Sequence, residues 1–239
     1  MKRIGLSIVL FSLATAATAA NREKLLQACR KNCGDCLAAL DAETQYTPLE
    51  ITPPEVRAAG VPADAKVAYL GGAAAGTVYK IDPSQDAPYS LKLFNDLVPG
   101  VHQFDDAKKV FAELKNNPVA FEGDFRIVGF KEAIEDPRAL KLEYVKGVLL
   151  DDILSERLLK NGKREKKLFE LYCSEVRKFG KRMQSQGWTF TENKNLDEDQ
   201  VPFPYPQFIF QKGDAEFYAH PTNVIIDPET LKMVLIDFE

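Results

Sequence analysis

The chain has 239 residues, 45% of them hydrophobic and 28% charged, which is enough to bury a core in one globular domain with a small appendage. Its formal net charge is −4 and it has no block of lysine and arginine, which argues against a nucleic-acid or anionic-membrane surface. Only two histidines, His102 and His220, are present, which argues against a metal site built from several histidines.

The first twenty residues have the pattern of a secretory leader. A basic pair precedes the apolar run Ile4–Ala14, and small residues follow as far as Ala19 and Ala20. This order predicts a cleavage site near Ala19 or Ala20. The apolar run is too short to span a bilayer. We therefore predict that residues 1–20 are a signal peptide and that the mature protein is periplasmic or secreted, with no stable membrane insertion after leader cleavage.

Residues 21–64 are predicted to form an N-terminal extension, first a helix that carries cysteines and then a proline-rich connector. Cys29, Cys33 and Cys36 lie on this helix with C-x3-C-x2-C spacing, which also matches the radical-SAM iron–sulfur signature. An exported protein meets an oxidising compartment, where cysteines form disulfides. We therefore predict structural disulfides with Cys173 as the fourth partner, and the pairing among the four stays open.

A glycine-rich turn joins the first two predicted strands, Val67–Leu70 and Thr77–Ile81. It runs from Gly71 to Gly76 as GGAAAG. Because it lies between two strands rather than between a strand and a helix, it argues against a Rossmann or Walker site. Missing side chains let backbone N–H groups approach phosphate oxygens, although small residues also form simple hairpin turns.

Charged side chains mark the next two elements. Lys92 lies on a predicted strand, Tyr89–Phe94, and Glu113 lies near the end of an amphipathic helix, Phe104–Asn116. A lone strand lysine is most often a solvated surface residue. Whether Lys92 is a binding residue or a surface residue therefore depends on what the rest of the chain contains.

The middle of the chain alternates strands and one long helix. We predict strands at Phe125–Ala133 and Leu140–Val145 and a helix at Lys163–Gln186. The polar, proline-containing stretch Thr189–Pro206 is predicted to be an insertion, followed by a strand at Gln207–Gln211.

The last segment is a predicted hairpin with strands Val224–Ile226 and Met233–Ile236. A hairpin brings the residues before its first strand close to those after its second. We therefore expect Asn223 and Asp237 to face one site. Their oxygens are the hard ligands that Mg²⁺ takes, usually together with waters and phosphate oxygens.

Taken in order from Val67 to Glu239, these segments resemble the protein-kinase-like superfamily, in particular its small atypical bacterial kinases. The resemblance lies in the glycine-rich turn, the strand lysine, the hinge-like LEYVKG that starts at Leu142, the HPTN loop that ends at Asn223, and the DFG-like Asp237-Phe238-Glu239. It implies an α+β fold with an antiparallel five-stranded N-lobe and hinge at residues 65–146. A reduced helical C-lobe would follow at residues 147–239, truncated after the DFG-like motif.

The resemblance also implies roles for individual residues. Lys92 would contact phosphates and Glu113 would hold Lys92, while Leu142 would be the gatekeeper. The remaining residues implied to bind Mg²⁺ and ATP are Gly71, Gly76 and Val78 at the phosphates, Glu143 and Val145 at the adenine edge, and Asn223 and Asp237 at the metal.

One departure bears on catalysis. The family's catalytic aspartate lies five residues before the asparagine, and this chain has Tyr218 there. A tyrosine does not replace a carboxylate that accepts the substrate proton. Asp214 or Glu216 is the candidate to reach the site instead.

From these observations we predict an exported, atypical kinase-like protein that binds Mg-ATP. It would be a phosphotransferase with a degenerate catalytic loop, acting on an unknown acceptor. The alternative is a catalytically inactive pseudokinase that serves as a protein-binding module. A third class is a small disulfide-linked domain that binds a partner and no nucleotide.

Overall fold

The computed structural model describes residues 48–73, 76–95, 103–151, 154, 165–193, 206–227 and 230–238. The predicted signal peptide and the helix with Cys29, Cys33 and Cys36 lie outside these residues, as do Ala74 and Ala75 of the glycine-rich turn. Within the described ranges, no helix is long and apolar enough to cross a membrane.

In chain order, the helices with described bounds are α1 (Pro54–Ala58), α2 (Gln103–Leu114) and α3 (Glu165–Gln184). The strands are β1 (Lys66–Ala73), β2 (Gly76–Asp82), β3 (Tyr89–Phe94), β4 (Phe125–Ile127), β5 (Phe130–Glu135), β6 (Arg138–Glu143), β7 (Val148–Leu149), β8 (Thr189–Asn193), β9 (Gln207–Lys212), β10 (Ala215–Ala219), β11 (Val224–Ile226) and β12 (Met233–Leu235). Short 3₁₀ helices span Pro118–Phe121 and Pro221–Asn223.

The first sheet is antiparallel throughout and has the strand order β1-β2-β3-β6-β5. Tyr89 and Leu91 of β3 belong to a small core beside α1, which contributes the buried Val56. Because successive strand residues point to opposite faces, Lys92 lies on the face away from this small core. The strand pattern therefore directs one lysine toward the interior of the molecule.

The larger core lies between this sheet and the rest of the chain. It contains Leu140 and Leu142 of β6 and the apolar stripe of α2. The stripe repeats at helical spacing, which is why α2 packs one face inward. Its members are Phe104, Ala107, Val110, Phe111 and Leu114.

The second sheet has the order β4-β12-β11-β7, in which β4 and β12 are parallel and the other pairs antiparallel. The predicted hairpin is present as β11 and β12. The prediction of one strand at Phe125–Ala133 is wrong, because the chain leaves this sheet after Ile127 and enters the first sheet at Phe130. Residues 128–129 thus connect the two sheets.

Helix α3 packs against a three-stranded antiparallel sheet with the order β10-β9-β8. Tyr172, Phe179 and Met183 are fully buried on one face of α3, and Gly187 follows the helix at a φ of 82° that favours glycine. The predicted insertion Thr189–Pro206 begins with a strand, β8, and residues 194–205 lie outside the described ones.

Cys173 lies on the buried side of α3 as a free thiol. Burial raises its pKa to about 11. Its predicted disulfide partners, Cys29, Cys33 and Cys36, lie outside the described residues, so the disulfide stays a prediction.

The fold class predicted from the sequence is confirmed. The molecule is α+β: a five-stranded antiparallel sheet is followed by a hinge-like segment and by a part whose described residues include α3 and the strands β7 to β12. This is the kinase-like arrangement that the resemblance implies.

Candidate functional site

A cleft of about 390 Å³ lies between the first sheet and the β11–β12 hairpin. Its size is within the usual range of small-molecule sites. Many of the residues predicted to bind nucleotide or metal line it: Gly71, Gly76, Val78, Lys92, Glu143, Val145, Asn223 and Asp237. The fold therefore brings together residues that lie up to 166 positions apart in the sequence, from Gly71 to Asp237.

The glycine-rich turn forms one wall of the cleft. A Cβ at Gly76 would overlap the backbone carbonyl of Leu93, so the close approach of β2 to β3 requires glycine there. A Cβ at Gly71 would meet nothing within 4 Å. Gly71 therefore leaves open space at the cleft wall rather than relieving a clash in the fold.

Lys92 and Asp237 form an ion pair inside the cleft. Lys92 Nζ lies 2.5 Å from Asp237 Oδ2, and the lysine also lies over the ring of Phe94, with 5.0 Å from Nζ to the ring centroid. The other carboxylate oxygen, Oδ1, accepts a hydrogen bond from the Phe238 N–H at 2.9 Å. Both side chains are thus held in one orientation at the end of β12.

Asn223 is brought beside Asp237 by the hairpin, as the sequence predicts. Beyond the paired ends of β11 and β12, the Ile236 N–H donates to the Asn223 carbonyl at 2.8 Å. The short helix that ends at Asn223 is capped by His220, whose Nδ1 lies 2.8 Å from Thr222 Oγ1 and accepts from the Thr222 N–H. Burial lowers the pKa of His220, an effect that the charge of Asp151 partly opposes.

The donor set at this end of the cleft is suited to Mg²⁺ bound together with phosphates. Asn223 and Asp237 offer side-chain oxygens, and the described residues contain no cluster of three or more His, Cys, Asp or Glu that could hold a metal. Mg²⁺ is usually bound by one or two carboxylates plus waters and substrate phosphates. Two protein ligands therefore fit a metal that arrives with a nucleotide.

The hinge-like segment forms the opposite end of the cleft. The side chain of Glu143 accepts two 2.7 Å hydrogen bonds from Arg126 and one of 3.1 Å from the Gly129 N–H. The hydrogen bonds from Arg126 are the main reason that the pKa of Glu143 is lowered. Val145 lines the cleft and makes no backbone hydrogen bond with another described residue.

The DFG-like phenylalanine packs into the core beneath the cleft. The ring of Phe238 lies 4.8 Å from that of Phe111 on α2 and 5.6 Å from that of Phe217 on β10, measured between centroids. This stack connects α2, β10 and the segment that carries Asp237.

The structure places Glu113 outside the cleft. Its carboxylate is exposed and lies 3.3 Å from Lys212 Nζ, while Lys92 is paired with Asp237. The reason is helical phase, because Glu113 lies roughly a third of a turn from the centre of the buried stripe of α2. The implied Lys92–Glu113 pair is therefore not formed in this structure.

Asp214 and Tyr218 also lie away from the cleft lining. Asp214 is exposed in the turn before β10, at the opposite end of that strand from His220, and its charge acts on Lys109 of α2. Tyr218 donates its hydroxyl hydrogen to Glu216, a bond that raises the pKa of the Tyr218 phenol. Strand alternation puts Glu216 and Tyr218 on the same face of β10, opposite Phe217.

Two residues at the site were missed by sequence reasoning. Arg126 binds the hinge carboxylate, and Thr222 lines the cleft next to Asn223. The signal for Arg126 was available, since an arginine between the apolar Phe125 and Ile127 needs a partner. Its partner lies 17 positions away, beyond the reach of local pattern.

A comparison with solved structures finds kinase domains at low similarity. The Mycobacterium tuberculosis PknI kinase domain is 17% identical with a TM-score of 0.43, and the match covers 76% of this chain and 62% of that domain. The maize sucrose-induced receptor kinase 1 domain bound to AMP-PNP is 14% identical with a TM-score of 0.40, covering 80% of this chain and 55% of that one.

The Mycobacterium tuberculosis protein Rv3197, solved in complex with erythromycin, is 14% identical with a TM-score of 0.42, and the match covers 97% of this chain and 66% of that one. The chain thus spans less than two thirds of the length of these structures. All three TM-scores are below 0.5, so no property of these proteins is transferred to this chain. No protein-family model and no curated protein matches the sequence.

Proposed function

We propose that this protein binds Mg-ATP in the cleft between the first sheet and the β11–β12 hairpin. The observation that carries the proposal is the arrangement of Lys92, Asn223 and Asp237 in a cleft that the hinge-like residues Glu143 and Val145 also line. A cation and two oxygen ligands suit phosphates with their metal, and backbone groups of the hinge-like segment suit the edge of a base.

Each group has a defined task in this proposal. The Lys92 ammonium would bind phosphate oxygens, and Asn223 and Asp237 would hold Mg²⁺. The Glu143 carbonyl and the Val145 backbone would face adenine, since the Glu143 N–H already donates to Gly129. Gly71 leaves room for phosphates at the wall. Bound Mg-ATP would supply a phosphoryl group with its charge partly neutralised.

Melting temperatures with and without Mg-ATP test the proposal. A ligand at a hundredfold excess over its Kd stabilises the native state by about 2.7 kcal/mol, so the purified protein should melt at a higher temperature in millimolar Mg-ATP. Lys92→Met and Asp237→Asn should remove this ligand-induced rise.

Glu113→Gln is the matched control, because it also breaks an ion pair but lies outside the cleft. It should show the full rise. If the unmutated protein does not shift in millimolar Mg-ATP, the nucleotide proposal fails.

A second candidate is a nucleotide-binding module without phosphoryl transfer. Among the described residues that line the cleft, the carboxylates are Glu143 and Asp237, and each already holds a cation, Arg126 and Lys92 respectively. Neither is a spare base for an acceptor hydroxyl, and Tyr218 faces Glu216 instead.

Release of labelled phosphate from γ-labelled Mg-ATP separates the two candidates. A phosphotransferase releases or transfers label above the level of Asp237→Asn, whereas a binding module gives the same low level in both proteins. We infer export from residues 1–20, and detection of a mature N-terminus near residue 20 would test it.

A further inference from the structure

Residues 125–129 form a bridging segment between the two ends of the cleft. On one side β4 pairs with β12, with Arg126 opposite Val234 and Ile127 opposite Leu235. The Val128 N–H then donates to the Leu235 carbonyl at 2.9 Å, two positions before Asp237. The backbone of the bridging segment is therefore fixed to the strand that carries the metal-side carboxylate.

On its other side the bridging segment holds the hinge. The Gly129 carbonyl accepts from the Glu143 N–H at 2.7 Å, and the Gly129 N–H donates to Glu143 Oε2 at 3.1 Å. Arg126 completes the link with its two terminal nitrogens, each 2.7 Å from a different oxygen of Glu143.

The geometry of this ion pair constrains orientation as well as distance. Two parallel hydrogen bonds between a planar guanidinium and a carboxylate fix their relative rotation, which a single contact does not. The side chains of Arg126 and Glu143 are 24% and 38% exposed, so the pair adds little to global stability. Its effect is local, at the turn from β6 into the hinge.

We propose that Arg126 is a positioning residue that sets the hinge relative to Asp237 and thereby determines the affinity of the cleft for the adenosine part of a nucleotide. This inference rests on the proposed Mg-ATP function. Because β4 stays paired with β12 when the side chain is changed, loss of the guanidinium removes two of the four hydrogen bonds between the bridging segment and Glu143 and leaves the phosphate end in place.

The test compares three probes by calorimetric titration of the full chain: adenosine, inorganic tripolyphosphate with Mg²⁺, and Mg-ATP. Arg126→Gln should weaken adenosine and Mg-ATP by about tenfold, a change typical of residues that act on a site through others. The affinity for tripolyphosphate should stay within about twofold of the unmutated value. Arg126→Lys keeps the charge but loses the paired geometry. Its affinity for adenosine should therefore lie between those of the unmutated protein and Arg126→Gln.

Arg177→Gln is the matched control. Arg177 and Glu192 form the same two-bond pair, at 2.9 and 2.6 Å, on α3 and β8 and outside the cleft lining. This variant should bind all three probes like the unmutated protein.

Each contrary outcome has a distinct meaning. If Arg126→Gln binds adenosine like the unmutated protein, or loses adenosine and tripolyphosphate equally, the positioning role is overturned while Mg-ATP binding stands. If the unmutated protein binds none of the probes, the proposed function fails and the positioning role fails with it. If Arg126→Gln does not fold, the adenosine affinities of Arg126→Lys and Arg177→Gln are compared instead. Weaker binding by Arg126→Lys supports the positioning role, and equal binding overturns it.

Discussion

The ammonium nitrogen of Lys92 lies 2.5 Å from Oδ2 of Asp237, which joins the first sheet to the end of the β11–β12 hairpin. The two side chains differ in exposure, at 8% for Lys92 and 29% for Asp237. Removal of the aspartate charge therefore leaves the more deeply buried partner unpaired, which costs more free energy than the reverse change.

Asp237→Asn should lower the free energy of unfolding by about 2 to 3 kcal/mol, and Lys92→Met by about 1 kcal/mol. The double variant should be more stable than the sum of these losses predicts, because neither charge is left unpaired. Urea unfolding followed by circular dichroism measures all three values. Strictly additive losses would show that the two residues are not coupled.

Substitution by alanine should affect stability differently at the two glycines Gly71 and Gly76. Gly76→Ala forces a methyl group onto the Leu93 carbonyl and should cost about 1 to 3 kcal/mol of stability. Gly71→Ala meets open space and should change stability by less than about 0.5 kcal/mol. Thermal unfolding of the two variants side by side checks this, and equal losses would disprove the assigned packing.

The Arg126–Glu143 pair should make stability depend on pH. The pKa of Glu143 is below its ordinary value of 4.5, so its contribution is complete above about pH 4.5 and is lost as the pH falls through the lowered pKa. The stability difference between the unmutated protein and Glu143→Gln, below about 1 kcal/mol at this exposure, should therefore shrink under acid.

Urea midpoints measured between pH 7 and pH 3 follow this difference. Glu192→Gln is a useful comparison, since it removes the other paired arginine partner. A difference for Glu143→Gln that grows as the pH falls would contradict the lowered pKa.

Cys173 should be unreactive in the folded protein. Its thiol is buried and has a pKa of about 11, so little thiolate is present at pH 8 and reagents reach it slowly. Iodoacetamide should label Cys173 only after denaturation, as read by mass spectrometry of the peptide. If iodoacetamide labels Cys173 in denaturant only after a reductant is added, the exported protein carries a disulfide at Cys173 and not the free thiol.

The parts of the site that are near in sequence could be predicted, and the reason is local geometry. A turn at Asp227 returns the chain, so Asn223 and Asp237 meet whatever the rest of the fold does. Lys92 was correctly placed on a strand because Tyr89–Phe94 alternates, and the observed strand has the same bounds.

Errors arose where partners distant in sequence decide the structure. Phe125–Ala133 has the composition of one continuous strand, but Val128 bonds to Leu235 and the strand divides between two sheets. Glu113 was implied as the partner of Lys92 by the resemblance, as an acidic residue on the helix that follows the lysine strand. The apolar stripe of α2, visible in the sequence, already places Glu113 off the inward face.

The parallel pairing of β4 with β12 has a consequence for how the molecule folds. Met233 pairs with Phe125, 108 positions earlier, whereas the pairs β1–β2 and β2–β3 join immediate neighbours in the chain. Contacts between distant segments form late because closing a long loop costs entropy first. The strands that carry the glycine-rich wall of the cleft are therefore expected to pair before β12 brings Asp237 to the opposite wall.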